Sequence, residues 1–396
     1  GKALGLICVA LYHLIFMMLM TDATLVIPTP ESQTSINFQF NFFNFVAFVL
    51  PFFYFASAFT YNPKKRTLKQ DIIRKITHQL IPFVLITIFI IIIGSFIILI
   101  FDKTNFFISL GRSVYSFLLG GMYSPFEIPA LGIVRNPDTG LIQITDRYIS
   151  HFWFIQALIP ASIIFMCFVR LFTKEKTGKL YHVYRGLLII VMLLLACIEP
   201  YVIKTWSIPL ALGKVPFAVA IMLAGYWLKE IGLYNITKKH IRVIVDVSAL
   251  ALAIVSSSLV GGTIYYAMSS YGPFNFFSLS MCYINGIAGT VLIMELSKLL
   301  AKIKTKWFAK SIDFIGQNSL PIYLFHWLVQ ISFGQIIRLI PNNPYVYHPN
   351  LPLYIFYLAV VAIFFTIPVS LFGGRALLQL FNRLFHPKKD RNVSIT

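Results

Sequence analysis

Apolar residues in this chain come in unbroken runs, not in the alternation of a half-buried strand or the single stripe of a surface helix. Each run is about 20 residues long, the length of helix that crosses a hydrocarbon layer. They lie near 3–21, 39–62, 79–101, 151–172, 187–205, 209–228, 243–260, 275–297, 314–339 and 353–381. No water satisfies backbone N–H and C=O groups inside a bilayer, so runs of this kind are helices. The pattern predicts an all-α class, a polytopic integral membrane helix bundle of about ten transmembrane helices. Connections between runs are short and leave little room for a separate soluble domain. Segment 102–150 is the longest stretch outside the runs. Within it, Ala130–Asp146 reads ALGIVR, NPDTG, LIQITD, two β-favourable arms around a turn, which predicts a hairpin. A loop of this length is expected to be functional, and 102–150 is expected to form an outer cap.

Composition agrees with a bilayer as the main solvent. The chain is 58% hydrophobic and 12% charged, where a soluble domain carries roughly 25% charged residues. The net charge of +19 would suit a nucleic-acid partner, but its distribution points elsewhere. If the first run goes outward, 26 of the 33 Lys and Arg residues fall on the inner side, in clusters such as Lys64–Lys75 and Lys298–Lys310. Only Lys103, Arg112, Arg135, Arg147, Lys204, Lys214 and Arg338 fall outside. Every second loop thus obeys the positive-inside rule, with both termini cytoplasmic in a cell membrane. Topology and attraction to anionic lipid account for most of the charge, and no nucleic acid is implied. A phosphate-rich small molecule could use the same inner surface.

The four cysteines all lie inside predicted runs, without disulfide or zinc spacing, and no metal site is expected. No Walker-type phosphate loop is present. The chain starts at Gly1 without Met, which points to a short cytoplasmic lead upstream. Its first run is too long for a cleaved signal peptide.

Ionisable side chains in mid-membrane are costly unless they face a cavity or a partner, so each is a candidate functional residue. His13 follows Lys2 by eleven residues, almost three helical turns or roughly 16 Å, so the two share a helix face. The ninth run carries Ser319, Tyr323, His326 and Gln330 at spacings of four, three and four, a continuous polar stripe. A single membrane histidine is most simply an interhelical hydrogen bond. Two at similar depth, one above a cation and one in a polar stripe, favour function. Ser57, Gln156 and Asn285 are weaker signals that helix packing would explain. Neutral imidazole is the usual general base near pH 7. Acyl transfer needs such a base for a hydroxyl, a group to polarise a carbonyl and an anchor for the donor. Buried histidines also serve proton transport, so the residues alone leave the chemistry open.

Five stretches, KALGLICVALYH (2–13), LPFFYFASAF (50–59), IIRKITHQLIPF (72–83), HFWFIQALI (151–159) and IGQNSLPIYLFHWLV (315–329), together resemble the membrane acyltransferase-3 family. KALGLICVALYH (2–13) is similar to its first-helix signature of a basic residue, ten residues and a His. LPFFYFASAF (50–59) resembles its Pro-Phe-Phe-rich second helix, and IIRKITHQLIPF (72–83) its basic segment before Leu-Ile-Pro. HFWFIQALI (151–159) resembles its Trp-Phe-Leu motif, and IGQNSLPIYLFHWLV (315–329) its Asn-Ser, Ile-Tyr-Leu, His element. The resemblance implies an integral membrane O-acyltransferase that moves an acyl group, most often acetyl from acetyl-CoA, to a hydroxyl of an envelope or lipid-linked glycan. The essential His then maps to His13, its basic partner to Lys2 and the later His to His326. Lys2 stands where many members have Arg, which replaces a bidentate fork by a point charge. Ala58 replaces the usual Gly after Ser57, and His78 and Gln79 fall where further basic residues are common.

On this reading residues 1–385 are the membrane domain and 386–396 a short basic cytoplasmic tail. Acyl-CoA is a co-substrate, with no cofactor held permanently. Its phosphates would lie near Lys64, Lys65, Arg66, Arg74 and Lys75, while Ser57, Ser319 and Tyr323 would line the cavity. His151 and Trp153 with the 102–150 loop would hold the glycan, since aromatic faces suit sugar rings. The competing expectation is a polysaccharide exporter without transferase activity. The charge asymmetry predicts that a single cysteine at Ser35, in a chain cleared of native thiols, reacts with an impermeant maleimide on intact cells. One at Ser311 is expected to react only after permeabilisation, and the reverse pattern would invert the topology.

Overall fold

The computed structural model describes residues 2–10, 48–101, 107, 110, 111, 114, 128–135, 142–149, 153–172, 179–205, 209–260, 276–326, 329 and 360–385. Helix α1 covers 2–10, α2 Val49–Phe59, α3 Leu68–Lys75 and α4 Ile81–Phe101, with a π-helical turn Ile76–Leu80 joining the last two. After strands β1 (Ile128–Arg135) and β2 (Ile142–Ile149) come α5 (Trp153–Phe172), α6 (Lys179–Thr205), α7 (Val215–Glu230), α8 (Lys239–Val260) and α9 (Phe276–Leu300). The described chain ends with α10 (Lys306–Gln317), α11 (319–326) and α12 (Ile367–Phe385).

Among the described residues, six helices are long and apolar enough to cross a membrane, and Val49–Phe59 and Ala362–Leu377 are shorter apolar ones. The first predicted run is described only over 2–10, so His13 lies outside the described residues. Helix α7 sits at the centre: Val215 and every residue from Phe217 to Tyr226 are buried. A helix apolar on all sides has no face to give to solvent and is buried by its neighbours. Its end is set by Gly232, whose φ of 74° lies in the left-handed region that stops a helix at low cost. Helix α2 packs against α7 and α9. That approach needs glycine: a Cβ on Gly289 would lie 2.0 Å from Phe48 Cγ, and one on Gly286 2.8 Å from Pro51 Cβ. Small residues of this kind let helices close in a membrane, where hydrophobicity alone gives no reason to associate. Asn285, expected as a packing residue, donates through Nδ2 to the Ala253 carbonyl at 3.2 Å and ties α9 to α8. On the outer side of α8, Val243, Ile244 and Val247 are exposed, as suits a lipid-facing surface.

Three features depart from the sequence expectation. The helix containing the third run begins at Leu68, eleven residues before position 79, so the basic segment there is largely helical. The ninth run is not one helix from 314. Asn318 interrupts it, its side-chain Nδ2 donating to the Phe314 carbonyl at 2.7 Å, and Pro321, tolerated only near a helix start, places a new amino end at 319. Among the described residues the class is helical apart from one antiparallel hairpin, whose register runs from Ile128↔Ile149 to Arg135↔Ile142. Its arms reach beyond the expected Ala130–Asp146, while the Asn-Pro-Asp-Thr-Gly turn lies outside the described residues.

The connection from α2 to α3 is held by a clasp. Thr67 caps α3: its Oγ1 accepts from the Gln70 N–H at 3.3 Å, while Gln70 Oε1 accepts from the Thr67 N–H at 2.9 Å. Arg170, in the last turn of α5, donates to Asp71 Oδ2 at 2.8 Å, to the Arg66 carbonyl at 2.7 Å and to Tyr61 Oη at 3.0 Å. Tyr61 itself donates to Asp71 Oδ2 at 3.1 Å. Tyr61 belongs to the loop beyond α2, and burial pushes its phenol up to about 12, so it keeps that proton at neutral pH. Lys229 at the end of α7 donates to the Tyr61 carbonyl at 2.6 Å. The ends of α2, α3, α5 and α7 are therefore locked together. Asp71→Ala would leave the Arg170 guanidinium without its carboxylate and is expected to cost about 2–3 kcal/mol. Tyr61→Phe removes one neutral hydrogen-bonding group and should cost about 1 kcal/mol. Thermal unfolding in detergent should show the larger drop for Asp71→Ala, and equal drops would contradict the clasp.

Candidate active site

The clasp holds one wall of a cavity of about 500 Å³, within the roughly 300–1,000 Å³ range of small-molecule sites. Seven parts of the chain meet around it. Helix α1 supplies Lys2; α2 supplies Phe53, Ala56 and Ser57; the loop supplies Lys65 and Arg66. Helix α3 adds Arg74 and Lys75, the π turn His78 and Gln79, α5 an apolar wall of Phe154, Ile155 and Leu158, and α11 Ser319 and Tyr323. One extra residue per turn in a π segment rotates the following side chains, and such turns recur at functional sites. Here the turn brings both His78 and Gln79 to the cavity.

The lining is electrostatically one-sided. Five cations, Lys2, Lys65, Arg66, Arg74 and Lys75, face one carboxylate, Asp71, which Arg170 already holds. Lys75 Nζ donates to Ser57 Oγ and to Gln79 Oε1, each at 3.2 Å, so the ammonium is aimed between α2 and the π turn. Another part of the lining is aromatic. The Phe154 ring lies 4.7 Å from Tyr54, 6.1 Å from Phe53 and 5.3 Å from Tyr323 between centroids, and the Tyr323 ring lies 5.4 Å from that of His326. His326 is buried, and its Nδ1 lies 2.5 Å from the Tyr323 carbonyl. A proton on Nδ1 completes that bond and leaves Nε2 as the basic nitrogen. The lining thus combines five cations with apolar and aromatic side chains, which suits an anionic ligand that also has a less polar part.

Of the residues singled out in the sequence, Lys2, Ser57, Lys65, Arg66, Arg74, Lys75, Ser319 and Tyr323 converge on this one cavity. His326 lies behind Tyr323 and does not line it. Lys64 is exposed and outside the lining. Trp153 is the first residue of α5, while His13 and His151 lie outside the described residues. Sequence reasoning missed Tyr61, Asp71 and Arg170. A lone acid among six cations from Lys64 to Lys75 was the available signal, since an Asp in such company calls for a dedicated partner. Among the described residues no group of three His, Cys, Asp or Glu side chains is arranged to hold a metal ion.

Comparison with known proteins matches residues 1–371 to the Acyltransferase domain of the acyltransferase-3 family. No curated protein and no solved structure matches the chain. The match covers both the spanning helices and every segment that contributes to the cavity, so this chain, a multi-pass membrane protein, belongs to the acyltransferase-3 family and is a membrane acyltransferase.

Proposed function

We propose that the protein transfers an acyl group, acetyl in the first instance, from cytoplasmic acyl-CoA to a hydroxyl of an envelope or exported glycan. The observation that carries this reading is the cavity lining, which joins five cations, Lys2, Lys65, Arg66, Arg74 and Lys75, to the aromatic rings of Phe53, Phe154 and Tyr323. Phosphates of the donor fit the cations. Arg66 and Arg74 can grip them with two parallel hydrogen bonds, while Lys65 and Lys75 act as point charges. The less polar pantetheine arm and thioester fit against Phe53, Phe154 and Leu158. Lys2 begins α1, and His13 follows it by eleven residues in the sequence.

In the chemical step the sugar oxygen attacks the thioester carbonyl carbon and its proton passes to His13. The C–S bond breaks, and the departing CoA sulfur takes the proton back. If His13 carries the acyl group first, the same bonds change in two stages, with acyl-imidazole between them. Tyr323, backed by His326, is suited to hydrogen-bond the carbonyl oxygen as charge builds there. The 102–150 segment, His151 and Trp153 are assigned to the glycan. Residues 1–385 act as one membrane unit in the cell membrane, with both termini cytoplasmic.

His13→Ala should lower ester-linked acetate on the envelope by roughly 10²–10⁴-fold in rate at unchanged protein level. Normal acetate content would sink the assignment. Arg74→Ala should raise the KM for acetyl-CoA about tenfold, as expected for one lost charge-assisted contact, with little change in kcat. Radiolabelled acetyl-CoA incubated with the purified protein and envelope glycan separates this reading from an exporter, which would leave the glycan unlabelled.

A further inference from the structure

A second cavity, of about 590 Å³, lies between α1, the end of α9 and α10. Its walls are mainly apolar, from Leu4, Leu300, Ile303, Phe308 and Ile312. Helix α10 is amphipathic and turns Phe308, Ile312 and Gly316, spaced four apart, toward this cavity. Its other side combines two kinds of residue that water does not favour together. Trp307 is 70% exposed, with Phe314 also exposed, beside exposed Lys306 and Lys310, and exposed Lys302 and Lys304 lie in the segment just before the helix. Lys298, nearer the spanning part of α9, is already bound to Glu295. The one acid on α10, Asp313, accepts from Gln317 at 2.9 Å.

Exposed tryptophan and lysine on a helix next to the end of a spanning helix match the headgroup layer, where the ring enters the acyl boundary and the ammonium groups meet phosphate. We propose that residues 298–317 form an anionic-phospholipid site. Lys302, Lys304, Lys306 and Lys310 hold the headgroup phosphate, and one acyl chain occupies the cavity beneath α10. Clusters of four or more lysines beside a spanning helix select anionic over zwitterionic lipid through charge. The mainly apolar cavity adds what a surface patch lacks, a place for one chain. The proposal stands apart from the acyl-CoA reading, because its readout is lipid binding.

Native mass spectrometry of the full chain in detergent, titrated with dioleoyl phosphatidylglycerol or dioleoyl phosphatidylcholine, tests it. Phosphatidylglycerol should be retained at least about tenfold more tightly. The combined variant K302Q/K304Q/K306Q/K310Q should lose that preference. Ala309→Phe, which fills the cavity, should weaken both lipids and keep the preference. If the fourfold variant does not fold, K304Q/K310Q alone should at least halve the preference. Equal retention of the two lipids by the native chain, or an undiminished preference in the lysine variants, overturns the proposal.

Discussion

Asp71 is one carboxylate among six cations, and the candidate active site depends on where it is held. Left alone, the segment from Lys64 to Lys75 would repel itself and spread along the membrane surface. Arg170 draws Asp71 to the end of α5 with a bond of 2.8 Å, and the same guanidinium takes the Arg66 carbonyl and the Tyr61 hydroxyl. The loop is thereby fixed against α5 and, through Lys229, against α7. Only then do Lys65, Arg66, Arg74 and Lys75 share one wall. Repulsion among these cations opposes that arrangement, and the clasp offsets it.

The bundle around this wall follows from ordinary membrane packing. Glycines on α9 let α2 approach until ring and backbone touch, and α2 in turn delivers Ser57 and Phe53 to the cavity. Helix α5 contributes at both levels, its interior residues Phe154, Ile155 and Leu158 lining the cavity and its last turn closing the clasp. One helix therefore sets both the depth of the cavity and the position of its charged rim.

Much of this was legible beforehand. The runs of apolar residues were sufficient to predict a multi-pass helical bundle, because an unbroken apolar run of about 20 residues satisfies its backbone in lipid as a helix, whereas barrel strands are shorter and alternate. The arms of the 128–149 hairpin could be seen in their β-favourable composition. Lys2, Ser57, the basic segment and the Ser319–Tyr323 stripe were found because polar groups stand out against an apolar background. What could not be read were pairings between distant residues: Asp71 and Arg170 are 99 positions apart, and no local pattern links them. The break at Asn318 was hidden for another reason. Hydropathy averaged over a run does not register one capping side chain, so an interfacial helix and a buried one merged into a single predicted span.

Lys2 lines both the 500 Å³ cavity and the 590 Å³ cavity beside it. It is therefore a partition as much as a charge, with Gly316 of α10 packed 3.8 Å from its Cβ by the position a Cβ there would take. Shortening this side chain removes an ammonium and also part of the wall that both cavities share. A defect in Lys2→Ala is assigned to lost charge only if Lys2→Met, which keeps the wall and discards the ammonium, behaves the same way. Lys2 therefore has a shape to maintain as well as a charge.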